Sequence, residues 1–277
     1  MRWIAPAKVN LSLRILGKRD DGFHELESLM VPVSVFDALE IEHTSGGDLQ
    51  FSCDDPSVPA DESNLVVKAV RLFCSSFGLM PHLRVHLSKE IPHGAGLGGG
   101  SSDAGTALLA LDELFETKLP RQDLADLGAE LGSDIPFFLH QSAAWIRGRG
   151  EIVQPVDGLP ILPLLLLKPT FGVPTPWAYR QWKDSIEIPG VPYAAQSLGW
   201  GTLLNDLERP VFEKYLLLAD LKAWLLNQPE VIGALMSGSG STIFAVLRDK
   251  QQGYALGERV AAEFGTDLWA YLCETIP

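Results

Sequence analysis

The chain has 277 residues, 46% of them hydrophobic and 21% charged, with a formal net charge of -13. This is the composition of a globular protein with room for one large or two modest domains. The acidic balance excludes a phosphate-backbone binder, so no nucleic-acid partner is expected and any anion site has to be built locally.

In chain order, residues 1–50 read as strands separated by turns. Val9, Leu11 and Leu13 alternate with Asn10 and Ser12, the pattern of a half-buried strand. Arg19–Gly22 and Ser45–Asp48 are turn sequences, and Val31–Val35 and Leu39–Ile41 look extended. A helix is predicted from Ser63, with Leu65, Val66, Ala69, Val70, Phe73 and Phe77 on one face and Gly78 as its stop. His82–Leu87 alternates polar and apolar, a strand leading into Lys89–Pro92. His82 and His86 have the spacing of a helical metal pair, but a strand does not present them that way, so no metal ligands are assigned.

A helix follows from about Ser102 to Phe115, with Ala104, Ala107, Leu108, Leu111 and Leu114 inward and Asp103 expected as a helix cap. Pro120 opens another helix that ends near Gly132. Gly132–Asp134 is a loop before apolar Ile135–Leu139. Pro and Gly cluster over Gly150–Pro163, which places a domain boundary there, dividing the chain into residues 1–155 and 156–277. The longest apolar run, Leu159–Leu167, is broken by Pro160 and Pro163. It is too short for a membrane span and reads as a buried strand at Leu164–Leu167. Pro169–Gly201 has weak periodicity. A helix at about 211–227, a strand at Ile243–Leu247, a helix at about 251–264 and a strand at Leu268–Cys273 complete the chain. Strands and helices mix without strict alternation, which argues for an α+β fold in two lobes.

Cys53, Cys74 and Cys273 lie far apart without a CxxC pair, which fits a reducing compartment. The first residues lack the sustained apolar segment of a signal peptide, so a cytoplasmic location without a membrane partner is expected.

The strongest signal is Pro92–Asp103. Five of the seven residues from 94 to 100 are glycine. Glycine admits positive φ and brings backbone N–H groups close to a ligand, and the helix that follows adds unpaired N–H groups and its dipole. Together these form a phosphate cradle without a cationic side chain. The rival is a flexible turn, which rarely needs five glycines before a helix. Gly94-x-Gly96-x-x-Gly99 matches a dinucleotide fingerprint only formally, because the chain stays helical where a second strand should end in an acid. No GxxxxGK[ST], HRD or DFG element occurs. Standing alone, Lys8 reads as a solvated strand residue and Asp134 as a loop residue after a helix.

The loop resembles the phosphate loop of the GHMP kinase superfamily. Three further segments carry the resemblance to the branch that phosphorylates a CDP-linked methylerythritol: Ala5–Leu11, Asp21–Leu26 and Leu131–Phe137. Asn205-Asp206 and Met236–Thr242 resemble two C-terminal blocks. The resemblance implies a two-lobed kinase with its active site in the inter-lobe cleft, using ATP and Mg2+, as a monomer or weak homodimer. Lys8 and Asp134 match the family's catalytic lysine and aspartate. Pro92, Gly94, Ala95, Gly96, Leu97, Gly98, Gly99, Gly100, Ser101 and Ser102 match the phosphate loop, and Asn64, Leu65 and Lys89 match positions flanking the adenine. Lys68 is a weaker candidate there. Asn10, Phe23, His24, Thr175 and Tyr179 match substrate positions, with His24 at the cytosine edge and Phe23 and Tyr179 on its faces; Trp177 competes with Tyr179. Phe23 departs from the family's tyrosine, which removes a hydroxyl but keeps the ring. Ser237–Ser241 is either a hairpin turn alone or a loop packed beside the substrate phosphates. Another GHMP kinase acting on homoserine or mevalonate is the alternative. A catalytically silent nucleotide-binding regulator and an NAD-binding protein are more remote readings.

Overall fold

Polar residues on the first strand set the layout. In the computed structural model of all 277 residues, β1 (Arg2–Lys18) runs antiparallel to β2 (His24–His43). Val9, Leu11 and Leu13 are buried as the alternation predicts, but Asn10 and Ser12 are only 0% and 8% exposed. The expectation of a half-buried strand is corrected. The apolar side of β1 enters the core, while its polar side, with Lys8, forms the floor of a cleft. Alternation therefore marks two buried faces here, not one wet face. A register shift between Asn10 and Ser12 adds a bulge at that floor.

The remaining elements follow as β3 (Gln50–Cys53), α1 (Leu65–Ser76), β4 (Leu83–Ser88), α2 (Gly99–Leu114), α3 (Arg121–Leu131), α4 (Ile135–His140), β5 (Ala144–Gly148) and β6 (Ile152–Pro155). Then come β7 (Pro163–Lys168), α5 (Thr175–Gln181), β8 (Gln196–Leu198), β9 (Gly201–Asn205), α6 (Glu208–Lys214), α7 (Leu216–Leu226), β10 (Val231–Met236), β11 (Ile243–Leu247), α8 (Gln252–Phe264) and β12 (Trp269–Glu274). One sheet has the order β3-β4-β2-β1-β9-β8, with β5 also paired to β2 and β6 paired to β5. The other has the order β10-β11-β7-β12. The hairpin of β8 and β9 belongs to the first sheet, where β9 lies parallel to β1. The mixed, two-sheet architecture is the α+β fold expected.

Three large cores and one small cluster, of Leu26, Met30, Phe137, Phe138, Ala144 and Ile146, hold these layers. Leu39, Ile41, Val85 and Phe73 join the first sheet to α1–α4. Val9, Val31 and Val33 meet Leu164, Leu166 and Phe244 between the sheets. Leu165, Leu167 and Ala245 face Val211, Leu218 and Leu221 of the C-terminal helices. Alternate residues of β7 thus enter two cores, which explains its unbroken leucine run.

The predicted helix at about 211–227 is two helices. Tyr215 leaves helical geometry at φ -117° and ψ 71°, and its ring stacks on Phe171 with centroids 5.0 Å apart. That tertiary contact lies outside any local pattern. Helix α2 begins at Gly99, three residues before the expected start, so Asp103 is interior and not a cap. Phe77, placed on the buried face of α1, instead ends that helix and is exposed. The segment Pro169–Gly201, featureless in sequence, contains α5 and the strand β8. No helix is long and apolar enough to cross a membrane.

Candidate active site

The cleft above β1 has a volume of about 780 Å³ and is lined by both halves of the chain, from Lys8 and His24 to Tyr179 and Ser239. Its glycine loop has positive φ at Gly94, Gly96 and Gly98, at 64°, 77° and 72°. A Cβ on Gly96 would overlap the Ser237 carbonyl and come within 2.9 Å of the Gly240 oxygen, and one on Gly98 would come within 2.8 Å of the Phe138 ring. Glycine is required there by both conformation and space. The first intrahelical bond of α2 runs from Ser102 N–H to the Gly98 carbonyl at 2.9 Å. The N–H groups of Gly99, Gly100 and Ser101 precede it and have no helical acceptor. Pro92, Gly94, Ala95, Gly96, Gly98, Gly99, Gly100 and Ser101 line the cleft. Leu97 does not, because its side chain is in the inter-sheet core. Ser102 is fully buried, with an Oγ that has no partner, and also lies off the lining.

Ser237–Ser241 connects β10 and β11 and packs on the phosphate loop. Ser237 Oγ donates to the Gly96 carbonyl at 2.9 Å, and Thr242 N–H donates to the Ala95 carbonyl at 3.1 Å. Asn205 Nδ2 donates to the carbonyls of Met236 and Gly238, both at 2.7 Å. The segment is thus a turn whose Gly238 and Ser239 also line the cleft.

Lys8 is buried on β1. Its Nζ donates to Asn10 Oδ1 at 2.6 Å and to the Gly96 carbonyl at 2.9 Å, and its own N–H donates to the Leu97 carbonyl at 2.9 Å. Asn10 in turn donates to Ser28 Oγ at 2.8 Å. Asn10 therefore positions Lys8 as well as lining the cleft. Asp134 stands at the head of α4, half-buried, with no capping bond that would consume its carboxylate. Burial lowers the Lys8 ammonium below the ordinary lysine range, and the charge of Asp134 partly restores it.

Also on the lining, the rings of His24 and Tyr179 lie 5.5 Å apart with planes tilted by 33°. Burial, then the charge of Lys18, pushes the His24 imidazolium down, which favours the neutral ring with one donor and one acceptor. Burial and Asp134 hold the Tyr179 phenol protonated. Trp177 packs edge-on against Tyr215 under Lys214 and does not line the cleft, so of the two aromatic candidates Tyr179 faces it. Phe23 is exposed at the rim with the Arg149 guanidinium 5.1 Å from its ring centre. Thr175 shares a 2.7 Å hydrogen bond with Ser239 Oγ.

Asn64 caps α1, accepting from Val66 N–H at 2.8 Å, and its amide donates to the Pro59 carbonyl at 2.7 Å. Leu65 is half-buried on the lining. Lys89 is buried between Asp37 and Asp103. Lys68 is exposed and off the cleft. Reading the sequence misses Asp37, Asp103 as a partner of Lys89, Arg149 and Arg180. No local signal marks Asp37. Arg149 is carried by a turn between Gly148 and Gly150, both at positive φ, a glycine pattern that flags the turn but not its destination. No set of three His, Cys, Asp or Glu side chains is arranged to hold an ion.

The GHMP kinases N terminal domain matches residues 64–142, and the GHMP kinases C terminal domain matches residues 194–266. The chain is 44% identical over 277 residues to the 4-diphosphocytidyl-2-C-methyl-D-erythritol kinase of Methylacidiphilum infernorum, covering 98% of this chain and 96% of that one. The chain belongs to the 4-diphosphocytidyl-2-C-methyl-D-erythritol kinase family. Another member, from Syntrophotalea carbinolica, is 36% identical over 268 residues, covering 95% of each chain. A crystal structure of a 4-(cytidine 5'-diphospho)-2C-methyl-D-erythritol kinase superposes with a TM-score of 0.83 at 35% identity, covering 100% of both chains. A homoserine kinase from Cytophaga hutchinsonii gives a TM-score of 0.66 at 17% identity, covering 100% of this chain and 94% of that one, which is a likeness of fold alone.

Proposed function

We propose that this kinase transfers the γ-phosphate of ATP to the 2-hydroxyl of 4-diphosphocytidyl-2-C-methyl-D-erythritol, releasing the 2-phosphate and ADP, as a step in non-mevalonate isoprenoid precursor biosynthesis. One arrangement carries the reading. In a chain of this family, Lys8 and Asp134 lie in a single cleft between a glycine phosphate loop and the His24–Tyr179 pair.

An alcohol is a weak nucleophile at neutral pH. Asp134 accepts the proton of the 2-hydroxyl as its oxygen bonds to the γ-phosphorus and the bond to the ADP oxygen breaks. Lys8 offsets negative charge around the reacting oxygens. It is fixed in place by Asn10 and Gly96, so no reorganisation is needed at that moment. The loop amides receive the phosphates, and Asn64, Leu65 and Lys89 border the adenine. Mg2+ would be held chiefly by the phosphate oxygens of ATP, and would supply charge neutralisation there. The neutral imidazole of His24 offers a donor and an acceptor to the cytosine edge, and the Tyr179 and Phe23 rings offer stacking surfaces. Asn10 and Thr175 border the methylerythritol diphosphate. Arg149 and Arg180 line the cleft without any ion-pair partner, which leaves them free for the substrate's diphosphate.

We further propose residues 1–155 and 156–277 as the two lobes, with the β8–β9 hairpin of the second completing the sheet of the first. We also propose that it works as a monomer or weak homodimer in the cytoplasm, the expectation that the family resemblance carries. A coupled ADP-release assay with Mg-ATP tests the reading. Turnover is expected with the CDP-linked alcohol and not with homoserine or mevalonate. Turnover with a small alcohol alone would transfer the chain to that activity, and no turnover with any acceptor would favour a silent regulator.

A further inference from the structure

Under the phosphate loop lies a buried cluster of three titratable side chains. Lys89 Nζ donates to Asp37 Oδ2 and, at 2.8 Å, to Asp103 Oδ2. All three side chains are nearly inaccessible, at 6% for Lys89, 0% for Asp37 and 3% for Asp103. The cluster sits where nucleotide is expected. Lys89 and Asp103 line the cleft, and Lys89 Nζ is 3.2 Å from the position a Cβ would take on Gly99, in the first turn of α2.

The two carboxyl groups have unequal surroundings. Asp37 has three donors. Its Oδ1 accepts from the N–H groups of Glu90 and Ile91 at 2.7 and 2.9 Å, and its Oδ2 accepts from Lys89. That suits a carboxylate, and it pins the chain immediately before Pro92, where the phosphate loop begins. Asp103 has one donor, and its Oδ1 is buried with no partner. A buried ionised oxygen without a donor is costly, and the acid form removes most of that cost. With both groups ionised, the cluster would carry one excess negative charge beside the site for a triphosphate. In a low-dielectric interior, that charge opposes binding.

We propose that Asp37 and Asp103 are a pair of positioning residues for the nucleotide, Asp37 as a carboxylate that fixes the entry of the phosphate loop and Asp103 as a neutral acid that leaves the cluster uncharged. The inference rests on the nucleotide-binding reading above. Burial pushes the Asp103 carboxyl up to about 8; Lys89 pulls against that rise, and the charge of Asp37 adds to it. Lys89 is held above the ordinary lysine range, since the two carboxyl groups outweigh its burial. The charged groups around Asp103 are Lys89 after β4, Asp37 on β2 and, beyond Gly98, Lys8 on β1. α1 contributes Leu65, and α4 packs the apolar Ile135 and Phe138 on α2 at Gly105.

The sign follows. The acid form of Asp103 is present below about 8 and is lost as pH rises through that value. A bound polyanion favours the protonated form further. Above the apo value, binding therefore takes up as much as one proton, and affinity falls by about tenfold per pH unit until the value in the complex is passed.

The test is calorimetric titration of the whole protein with the magnesium complex of a non-hydrolysable ATP analogue. It is run between pH 7.5 and 9.5 in two buffers of different ionisation enthalpy, which counts protons directly. Wild type is expected to take up a proton at pH 8.5–9 and to lose affinity across the range. Asp103→Asn, a neutral isostere, is expected to bind at pH 9 about as tightly as wild type does at pH 7.5, with no proton uptake. A purely structural ion pair predicts the reverse, weaker binding in Asp103→Asn at every pH. Asp37→Asn is expected to weaken binding at every pH. Binding by wild type without proton uptake would overturn the inference, and that measurement needs no variant to fold. Uptake that persists in Asp103→Asn would assign the proton to another group, such as Lys8, and also overturn it. No binding of the analogue at any pH would overturn the kinase reading itself, and the inference with it.

Discussion

The Lys8 ammonium donates to the Gly96 carbonyl across 2.9 Å, fixing the polar face of the first strand to the phosphate loop. Asn10 holds the same ammonium from the side. Removing the charge while keeping the bulk, as in Lys8→Met, should lower kcat by ~10²–10³-fold, the range for a preorganised electrostatic group. Steady-state ADP release at saturating substrates reads this. A loss of less than threefold would remove Lys8 from the chemistry.

The same residue sets an alkaline limit. Burial brings the Lys8 ammonium below the usual lysine value, so its charge disappears, as pH rises, earlier than for an exposed lysine. At saturating nucleotide, kcat should therefore fall on the alkaline side below pH ~10.4, the ordinary lysine value. A kcat profile that stays flat to that pH would contradict this.

Asp134 makes no capping bond, so its conversion to Asn should leave α4 folded. Nucleotide affinity is expected to be kept while turnover drops by ~10²–10⁴-fold, as for loss of a general base. Unchanged turnover would exclude Asp134 from the proton transfer.

His24→Ala and Tyr179→Ala should each raise KM for the CDP-linked alcohol by about tenfold, equivalent to ~1.4 kcal/mol. The KM for ATP should change little, because the proposed reading assigns both rings to the cytosine and neither to the nucleotide. Trp177→Ala is the control. Its ring packs on Tyr215 off the cleft and should leave the alcohol KM near wild type. A larger effect at Trp177 than at Tyr179 would reverse the assignment.

Gly96→Ala places a methyl group against the Ser237 carbonyl at a φ of 77°. Left-handed backbone costs an L-residue ~1–2 kcal/mol, and the overlap adds to this. The two glycine loops should separate and ATP affinity should fall by at least tenfold, read by nucleotide titration. Wild-type affinity in this variant would mean that the contact between the loops is dispensable.

The sequence by itself determined the elements whose signal is local. Helix α1, α3 behind Pro120, β4, β7, β11 and α8 follow from periodicity and turn residues, because burial of one face imposes the spacing. The conformation of the glycine loop was legible for the same reason, since positive φ and close approach leave few residues but glycine at Gly96 and Gly98. Lys8, His24 and Asp134 stand out in the sequence only through motifs. As single residues they look like ordinary surface charges. Only the tertiary structure decided the rest. It alone shows that the polar side of β1 is a buried cleft floor, because whether a polar face meets water depends on what folds over it. It breaks the helix after Lys214 through a stacking contact between Tyr215 and Phe171, 44 residues apart by their numbers. It assembles Asp37, Lys89 and Asp103 from a strand, a loop and a helix. Such a charge cluster has no spacing in sequence, since its energy comes from desolvation shared among distant segments.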